Sequence, residues 1–452
     1  MAMPATGLSF SPSGGGVRVA LCLVLLALLG GALLIPLGMV NDLVYERAER
    51  SRQVETELAG QWGSEQTVAG PVLLVPYTLW QAPAAGGAAQ ASTHYAHVLP
   101  ERLTIAAGVD PEHRYKSIYD VLLYASRIHL EARFAAPELA AKGVAPGDIR
   151  WGEASLVLGV SDSRGVRGLA ATLDGRDLTL LPGTPRGALF PIGAHARLGD
   201  RGPTAHAVAI DLTLDGIRGL AFLPVGSDST ITVESPWPHP DFAGGFLPAE
   251  RGIRPDGFTA RWAISALSRA YPALWLGDEL DFGKLDDGAV GVRLVQPGNA
   301  YQQTDRVTKY GVLVIALTFA AIFLVGLWRG GQAHLVQYAL VGAALCLFYL
   351  LLLSLAEHIA FGWAYLIAAS VDLAMVALYV GATVGRAAGW ALAGLLALVQ
   401  GYIYVLLGLE DYALLAGTVG LLVMLAAIMV LTRRIDWFAL DTLRPGLPDA
   451  AR

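Results

Sequence analysis

Six long apolar stretches, one near the N-terminus and five in the last third of the chain, dominate the hydrophobic pattern. They are Val19–Val40, Gly311–Trp328, Tyr338–Leu355, Ile359–Val380, Ala387–Leu409 and Ala413–Leu431. A helix of about 20 apolar residues is long enough to cross a bilayer. The first stretch exceeds the apolar run of roughly 7 to 15 residues in a signal peptide, and no clear small-residue cleavage site follows it. We therefore predict an uncleaved anchor helix and a C-terminal bundle of five transmembrane helices, with a signal peptide as the alternative for the first stretch.

The region between the first two apolar stretches has a mixed pattern that predicts one helix followed by many short strands. In Asn41–Trp62 apolar residues recur at helical spacing, and Arg47 is the one charge inside the apolar arc. Tyr115–Ser126 and Ile264–Trp275 fit either a helix or a strand, and the Ala/Gly-rich Trp80–Ser92 is predicted to be a flexible loop. Strand patterns separated by turn sequences are VLLVPY, LTI, IHLEARF, ASLVLGV, VAIDLTL and TITVE. They predict an antiparallel β-sandwich or a similar β-rich domain.

The arginines beside the apolar stretches predict the orientation of the chain across the membrane. Arg18, Arg329, Arg386, Arg433 and Arg434 all fall on one side if six helices cross the membrane in turn. Because short basic loops stay in the cytoplasm, both termini are predicted to be cytoplasmic and the β-rich domain external. The predicted domains are a cytoplasmic N-terminus (1–18), an anchor helix (19–40), an external periplasmic β-rich domain (41–310), a five-helix transmembrane bundle (311–434) and a cytoplasmic tail (435–452).

Composition and charge narrow the class of protein. Of the 452 residues, 54% are hydrophobic and 15% are charged, whereas soluble domains carry roughly a quarter of charged residues. The net charge of −6 argues against a nucleic-acid partner. Both cysteines, Cys22 and Cys346, fall inside apolar stretches. The external domain is therefore expected to have neither a disulfide nor a cysteine metal site.

Residues that could carry chemistry are few, and no familiar nucleophile, zinc-protease or phosphate-loop motif occurs in a supporting context. His94 and His97 form the sequence HYAH. A metal would need a third ligand, however, and residues three apart on a strand point to opposite faces. We therefore expect no catalytic residues, no cofactor and no metal. The segment WPHPDF, Trp237–Phe242, is predicted to be a rigid exposed loop, which is either a packed corner or a contact for a partner.

Ionisable residues in and between the C-terminal apolar stretches form the candidate functional cluster. Its members are Glu357, His358, Asp372, Glu410 and Asp411. The first two and the last two are predicted to lie in external turns, whereas Asp372 lies deep in a helix, where a charged carboxylate is costly. Three interpretations stay open. The first pair is a simple turn, or it holds that turn against the external domain or the fifth apolar helix, or the acids and the imidazole form a proton path.

Several segments resemble the CreD family of inner-membrane, cell-envelope integrity proteins. They include YERAERSRQVETELAGQWGSEQTVAGPVLLVPY, QYALVGAALCLFYLLLLSLAEHIAFGWAYLIAA, EDYALLAGT and MVLTRRIDWF, and the resemblance runs from the first apolar stretch to about Phe438. It implies a bacterial inner-membrane protein linked to envelope integrity, to colicin tolerance and, in some bacteria, to responses to β-lactams. The resemblance supplies no catalytic residues.

The leading hypothesis is a non-enzymatic inner-membrane protein that supports the cell envelope, or its response to stress, through the external domain. Its expected partners are the lipid bilayer and an envelope protein or peptidoglycan. The alternative is a small transporter or proton-coupled channel that uses the acidic and histidine residues of the C-terminal helices. An external hydrolase has no motif to support it.

Overall fold

The computed structural model describes residues 16–81, 90–199, 201–269, 271–277, 287–296, 299–329, 334–409 and 412–433. Within these residues the chain forms two compact units. The helical unit comprises the described parts of Met1–Arg50 and Gly298–Arg452, and the β unit comprises those of Ser51–Pro297. The domain boundaries drawn from the sequence stay predictions, because a division into compact units does not locate the membrane surfaces.

Long apolar helices occur at both ends of the described chain. The helices are α1 (Gly16–Trp62), α2 (Ala300–Lys309), α3 (Gly311–Arg329), α4 (Leu335–Ala356), α5 (Phe361–Thr383), α6 (Arg386–Gly408) and α7 (Ala413–Thr432). The predicted N-terminal apolar helix and C-terminal apolar helices are thus confirmed. By length and composition α1, α4, α5 and α6 could each cross a membrane, and α2 with α3 could form a further span bent by 41°. The apolar part of α7 is shorter, so the number of five C-terminal spans stays a prediction.

Close approach between helices organises the helical unit. Its buried core includes Leu37 of α1, Phe319 of α3 and Leu352 of α4. Gly342 of α4 faces Leu33 of α1, where a Cβ atom would come within 2.2 Å of a leucine methyl carbon. In lipid, helices gain little from hydrophobic burial against each other, so van der Waals packing at small residues is a main source of their attraction.

The β unit contains two sheets, and the predicted β-rich domain is confirmed. The strands are β1 (Gln66–Gln81), β2 (Gln90–Val98), β3 (Arg102–Lys116), β4 (Tyr119–Phe134), β5 (Ser155–Val160), β6 (Val166–Leu173), β7 (Arg176–Asp177), β8 (Leu181–Pro182), β9 (Gly193–Arg197), β10 (His206–Ile217), β11 (Gly219–Leu223), β12 (Asp228–Ser235), β13 (Pro240–Gly244), β14 (Glu250–Arg254), β15 (Gly257–Ser265), β16 (Leu274–Leu276) and β17 (Val290–Leu294). Five of the six strand patterns identified in the sequence lie within these strands, and the sixth, ASLVLGV, begins one residue before β5.

The first sheet, sheet A, has the order β13-β17-β11-β1-β5-β9-β8, with β2 pairing with β1 and β16. The second, sheet B, has the order β14-β15-β12-β3-β4-β10-β6-β7. The prediction of an antiparallel domain needs a correction, because β1 pairs in parallel with β11 and β12 pairs in parallel with β3. Parallel neighbours need a long crossover connection, and the partners here are far apart in the sequence, where local patterns give no signal.

Two ambiguous segments and one wrong prediction are resolved by the strand pairing. Tyr115–Ser126 forms the end of β3 and the start of β4, with Ser117 at the turn between them in a left-handed conformation (φ 59°). Ile264–Trp275 contains the end of β15, a short turn of 3-10 helix and the start of β16. The predicted loop Trp80–Ser92 is wrong at both ends, because Trp80 pairs with Ala91 across β1 and β2. The middle of that loop lies outside the described residues.

The two sheets enclose one hydrophobic core. Strand β15 shows the reason in its sequence, since Phe258 and Trp262 are buried while Arg261, between them in alternation, is exposed. Residues of sheet A such as Leu74 and residues of sheet B such as Leu130 belong to the same buried cluster. Alternation with a period of two turns every second side chain toward this core.

The outward face of sheet B and the ends of both sheets have distinct compositions. The outward positions of sheet B combine small side chains, as at Ala106 and Ala170, with charged ones on the central strands, as at Arg127, Glu131 and Asp211. Among the described strands, sheet B ends on β14, which carries three charged residues and is exposed throughout, and on the two-residue β7. Sheet A ends on β13, which begins with a proline, on the two-residue β8, which contains one, and on the three-residue β16.

The end of α1 is held within the β unit by hydrogen-bonded ion pairs. Arg164 donates from Nε and Nη2 to the two carboxylate oxygens of Asp162, at 2.9 and 2.8 Å, and from Nη1 to the carbonyl oxygen of Gly60 at 2.8 Å. The backbone N–H of Ser64 donates to the same carboxylate at 3.1 Å. Because these donors favour the charged form, with the Arg164 hydrogen bond as the largest cause, the pKa of Asp162 lies well below its usual range. We call this set of contacts the helix joint.

Further contacts extend the helix joint along the last turns of α1. Glu55 accepts two hydrogen bonds from the guanidinium of Arg218, each at 2.5 Å. The centre of the Trp62 ring lies 4.5 Å from the guanidinium of Arg114 and 5.0 Å from that of Arg167. Cation–π contacts of this kind stabilise by about 0.5–1 kcal/mol each at exposed sites. The last turns of α1 therefore form part of the β unit and not a loose linker.

Candidate functional site

Glu357 caps the C-terminal end of α4 and contacts two other helices of the helical unit. The Tyr301 hydroxyl on α2 donates to Glu357 Oε1 at 3.4 Å, and Nε of Arg47 on α1 lies 3.8 Å from the same oxygen. The Glu357 side chain is largely buried, with 10% of it exposed. Arg47 was the one charge within the apolar arc of α1, and its position toward Glu357 explains that exception. The arrangement has the geometry of a brace, while the role of Glu357 stays a prediction.

His358 follows Glu357 but has different surroundings. Its ring Nδ1 lies 3.0 Å from the carbonyl oxygen of Ser354, one helical turn earlier, and the side chain is exposed. A histidine near the end of a helix can satisfy one of the last carbonyl groups in this way. His358 thus completes the end of α4. Glu410 and Asp411, expected at the same level, lie outside the described residues, so the predicted contact between the two turns stays a prediction.

Asp372 lies at the midpoint of the 23-residue helix α5 and is buried. Gln400 of α6 donates from Nε2 to Asp372 Oδ2 at 2.8 Å, and the Tyr365 hydroxyl donates to the backbone carbonyl oxygen of Gln400 at 2.7 Å. At about 1.5 Å per residue, Asp372 is about 17 Å along α5 from its first residue. The structure therefore separates Asp372 from the turn that carries Glu357. Gln400 was missed in the sequence because an amide carries no charge, although it interrupts an apolar stretch.

The histidines of β2 do not converge on a common centre. His97 is buried, stacks on Trp275 with ring centroids 4.9 Å apart, and places Nε2 2.8 Å from the carbonyl oxygen of Gly187. His94 instead places Nε2 3.0 Å from the Ser92 hydroxyl. Within the described ranges, no group of three or more His, Cys, Asp and Glu side chains is arranged to hold a metal ion. The expectation of no metal stays a prediction.

The loop Trp237–Phe242 is shorter than predicted and is partly a strand. Trp237 donates from Nε1 to the carbonyl oxygen of Val295 at 2.9 Å. Its ring also lies 5.7 Å from that of His113, centroid to centroid. From Pro240 onward the segment forms β13. These contacts are those of a packed corner, which was the first of the two predicted alternatives.

Three histidine–aspartate pairs connect neighbouring parts of sheet B. His113 Nδ1 lies 2.9 Å from an oxygen of Asp120 across β3 and β4, and His129 Nδ1 lies 2.7 Å from Asp211 across β4 and β10. The third pair joins His206 of β10 to Asp174, in the turn after β6, at 2.8 Å. No sequence pattern indicated these pairs, because their members are up to 82 residues apart.

Two of these pairs are accompanied by shifted pKa values. The hydrogen bond to Asp211 raises the pKa of His129, with a smaller contribution from Glu131. Burial by itself would raise the pKa of Asp174, but hydrogen bonds from the Ala207 backbone and from His206 lower it below its usual value. Each pair thus favours a charged group on the sheet surface.

Two comparisons with known proteins agree with each other. The model of a protein family described as inner membrane protein CreD matches residues 18–438. The Inner membrane protein CreD of Escherichia coli (strain K12) is 35% identical over 423 residues, which cover 90% of this chain and 91% of that protein. Both matches extend over the helical unit and the β unit.

Proposed function

Because the chain belongs to the CreD family of inner membrane proteins, we propose that it supports the integrity of the bacterial cell envelope through its β unit. The β unit lies on the periplasmic side in this proposal and acts by binding, without catalysing a reaction. Its partner is an envelope protein or peptidoglycan. Six helices cross the inner membrane, one from the N-terminal region and five from the C-terminal bundle, and both termini are cytoplasmic.

The helix joint is the observation that carries this proposal. A domain that acted only by reaching distant partners would be served by a flexible Gly- or Ser-rich linker. Here the last turns of α1, the helix that contains the anchor stretch, contact Arg218 and also Arg164, which is paired with Asp162. All three of these residues belong to the β unit. Such a connection suits a protein whose external domain bears or senses load at the membrane.

A test of the joint uses an exchange of charges. Arg218→Glu places two carboxylates together, so we expect weak complementation of a gene deletion under envelope stress, measured as growth in detergent. The double variant Glu55→Arg with Arg218→Glu restores opposite charges and should recover growth. Arg261→Glu is the matched control, because Arg261 lies on the exposed face of β15 with its partner Glu250 at 3.7 Å. Growth of Arg218→Glu equal to that of the control, at equal abundance, contradicts the proposal.

The proposed topology has its own test in single cysteine substitutions at exposed positions. Ala263→Cys in the β unit and His358→Cys after α4 should react with a membrane-impermeant maleimide once the outer membrane is permeabilised. Arg386→Cys at the start of α6 should react only after the inner membrane is opened. The unsubstituted chain is the control, since both native cysteines lie in apolar helices. Labelling of Arg386→Cys before the inner membrane is opened overturns the six-helix orientation.

The proposed partner is tested by photo-crosslinking in cells. A photoreactive residue at Ala106 or Ala170 would stand on the outward face of sheet B, where both positions are exposed. We expect an adduct with an envelope protein or with peptidoglycan fragments, identified by mass spectrometry, and none without illumination. If neither position gives an adduct in stressed or unstressed cells, this face is not the binding surface.

A further inference from the structure

Among the buried oxygen atoms of the described helical unit that lack a hydrogen-bond donor, two belong to groups already in contact with each other. Gln400 Nε2 donates to Asp372 Oδ2 at 2.8 Å. The other oxygens of the two groups, Asp372 Oδ1 and Gln400 Oε1, have no partner among the described residues. Only 2% of Asp372 and 3% of Gln400 are exposed. A buried acceptor without a donor costs about 1–3 kcal/mol, and more if it is charged.

Among the described residues around Asp372, no cation pairs with its carboxyl group. No ion pair to it occurs in the described helices, and its neighbours in the buried cluster include Ala368, Val376 and Leu396. The titratable groups around it are Tyr349 on α4, which interacts with it electrostatically, and Tyr365 on α5, whose hydroxyl already donates to a carbonyl group. Helix α6 contributes the uncharged Gln400. An ionised carboxylate here would be satisfied by one neutral donor alone.

We propose that Asp372 and Gln400 form a proton-binding site within the helical bundle. One proton from water adds to the carboxylate of Asp372 on Oδ1, and the resulting O–H donates to Gln400 Oε1. Together with the Nε2–H bond to Oδ2, this closes a ring of two hydrogen bonds between an acid and an amide. A single proton thereby satisfies both orphan oxygens, joins α5 to α6 and removes the charge. Release of the proton leaves a carboxylate with one donor and an amide oxygen with none. This inference is independent of the proposed envelope role.

Infrared difference spectroscopy of the full-length protein in lipid bilayers tests the proposal. At neutral pH exposed carboxyl groups are ionised, because their usual pKa values lie near 4. We expect the wild-type protein to show the C=O stretching band of a protonated carboxylic acid and Asp372→Asn to lack it. Glu357→Gln is the matched control, since it removes another carboxyl group of the same helical unit, and it should keep the band.

Two further measurements distinguish a proton shared by the two groups from simple burial of the acid and from a bound metal cation. Gln400→Leu removes the hydrogen bond to the carboxyl group, so the C=O band should move to higher frequency. Such a shift is expected only if Gln400 contacts the carboxyl group, because burial alone would not depend on Gln400. Replacing choline chloride by sodium chloride should leave the wild-type band unchanged. A band that persists in Asp372→Asn, or no band in the wild type, overturns the proposal. So does a band that sodium removes, because the site would then hold a metal cation.

Discussion

Replacing Asp162 by asparagine removes the charge at the centre of the helix joint. The carboxylate accepts two hydrogen bonds from the Arg164 guanidinium and one each from the backbone N–H groups of Arg164 and Ser64. Hydrogen bonds to charged groups contribute about 1.5–3 kcal/mol each. The Arg164 side chain is 57% exposed, so water reduces its share, and asparagine keeps one acceptor oxygen. We therefore expect a loss of about 2 kcal/mol in the free energy of unfolding of the β unit.

Thermal unfolding of the full-length protein in detergent, followed by the β-sheet circular dichroism signal, measures this loss. For a unit of about 150–250 residues, 1 kcal/mol corresponds to about 2–4 °C, so the midpoint should fall by about 4–8 °C. Asp211→Asn is the matched control, because the same atoms change on a carboxylate that is 75% exposed. Its midpoint should move by no more than about 2 °C, since exposed ion pairs contribute about 0–1 kcal/mol.

The pH dependence of the difference gives a second check on Asp162. Its pKa is lower in the folded protein than in the unfolded chain, so the unfolded chain binds more protons as the pH falls. The stabilisation is fully present above the unfolded pKa of about 3.9 and is lost as the pH falls through the lower folded pKa. Wild type and Asp162→Asn should therefore differ equally at pH 7 and pH 5 and converge in stronger acid. Equal midpoints at pH 7, or a difference that grows in acid, would refute the reasoning.

Three other substitutions test separate parts of the molecule. Gly165→Ala would place a Cβ atom 2.2 Å from a backbone carbonyl oxygen, so we expect a loss of about 2 kcal/mol or more in the free energy of unfolding in the same assay. Gly168→Ala is the control, because the nearest atom to its Cβ would be 3.8 Å away, and its free energy of unfolding should be nearly unchanged. Equal losses in the two variants would contradict the predicted clash at Gly165. The pKa of His129 is raised in the folded protein, so its stabilisation is present below about pH 6.5 and is lost as the pH rises through the folded pKa. His129→Gln should therefore lower the unfolding midpoint slightly at pH 5.5 and leave it unchanged at pH 9. A larger loss at pH 9 than at pH 5.5 would contradict a stabilising pair between His129 and Asp211. Glu357→Gln should lower protein abundance in membranes, measured by immunoblot, with growth under envelope stress falling in parallel; normal abundance with lost growth, repeated in Asp372→Asn, would favour the proton path over the brace.

Local patterns in the sequence predicted six of the strands and the apolar helices, because each of these elements depends on neighbouring residues. In the predicted strand IHLEARF, Leu130 and Glu131 alternate between core and solvent as a strand requires, and the apolar stretches are long enough to form membrane helices without any tertiary information. The pairing of β1 with β11 could not be predicted in the same way. It joins Gln66 to Leu220, and nothing within either strand identifies the other.

The candidate site was predictable only in its charged members. Glu357 and Asp372 were visible because charges are rare in apolar stretches. Their partners Tyr301 and Gln400 are neutral, and they are distant in the sequence from the groups they contact. Arg47 did leave a trace, since a charge inside an apolar helical arc needs a partner, but the pattern could not show that the partner is Glu357.

The end strands of the two sheets bear on how many copies of the protein a membrane can hold. Proteins confined to a membrane meet one another in two dimensions and in restricted orientations, so unpaired strand edges would encounter identical edges often. The charged β14, the short β7 and β8, and Pro240 at the start of β13 are features that discourage pairing with another strand. We therefore expect that strong overproduction fills the membrane with separate β units and does not convert them into fibrous aggregates.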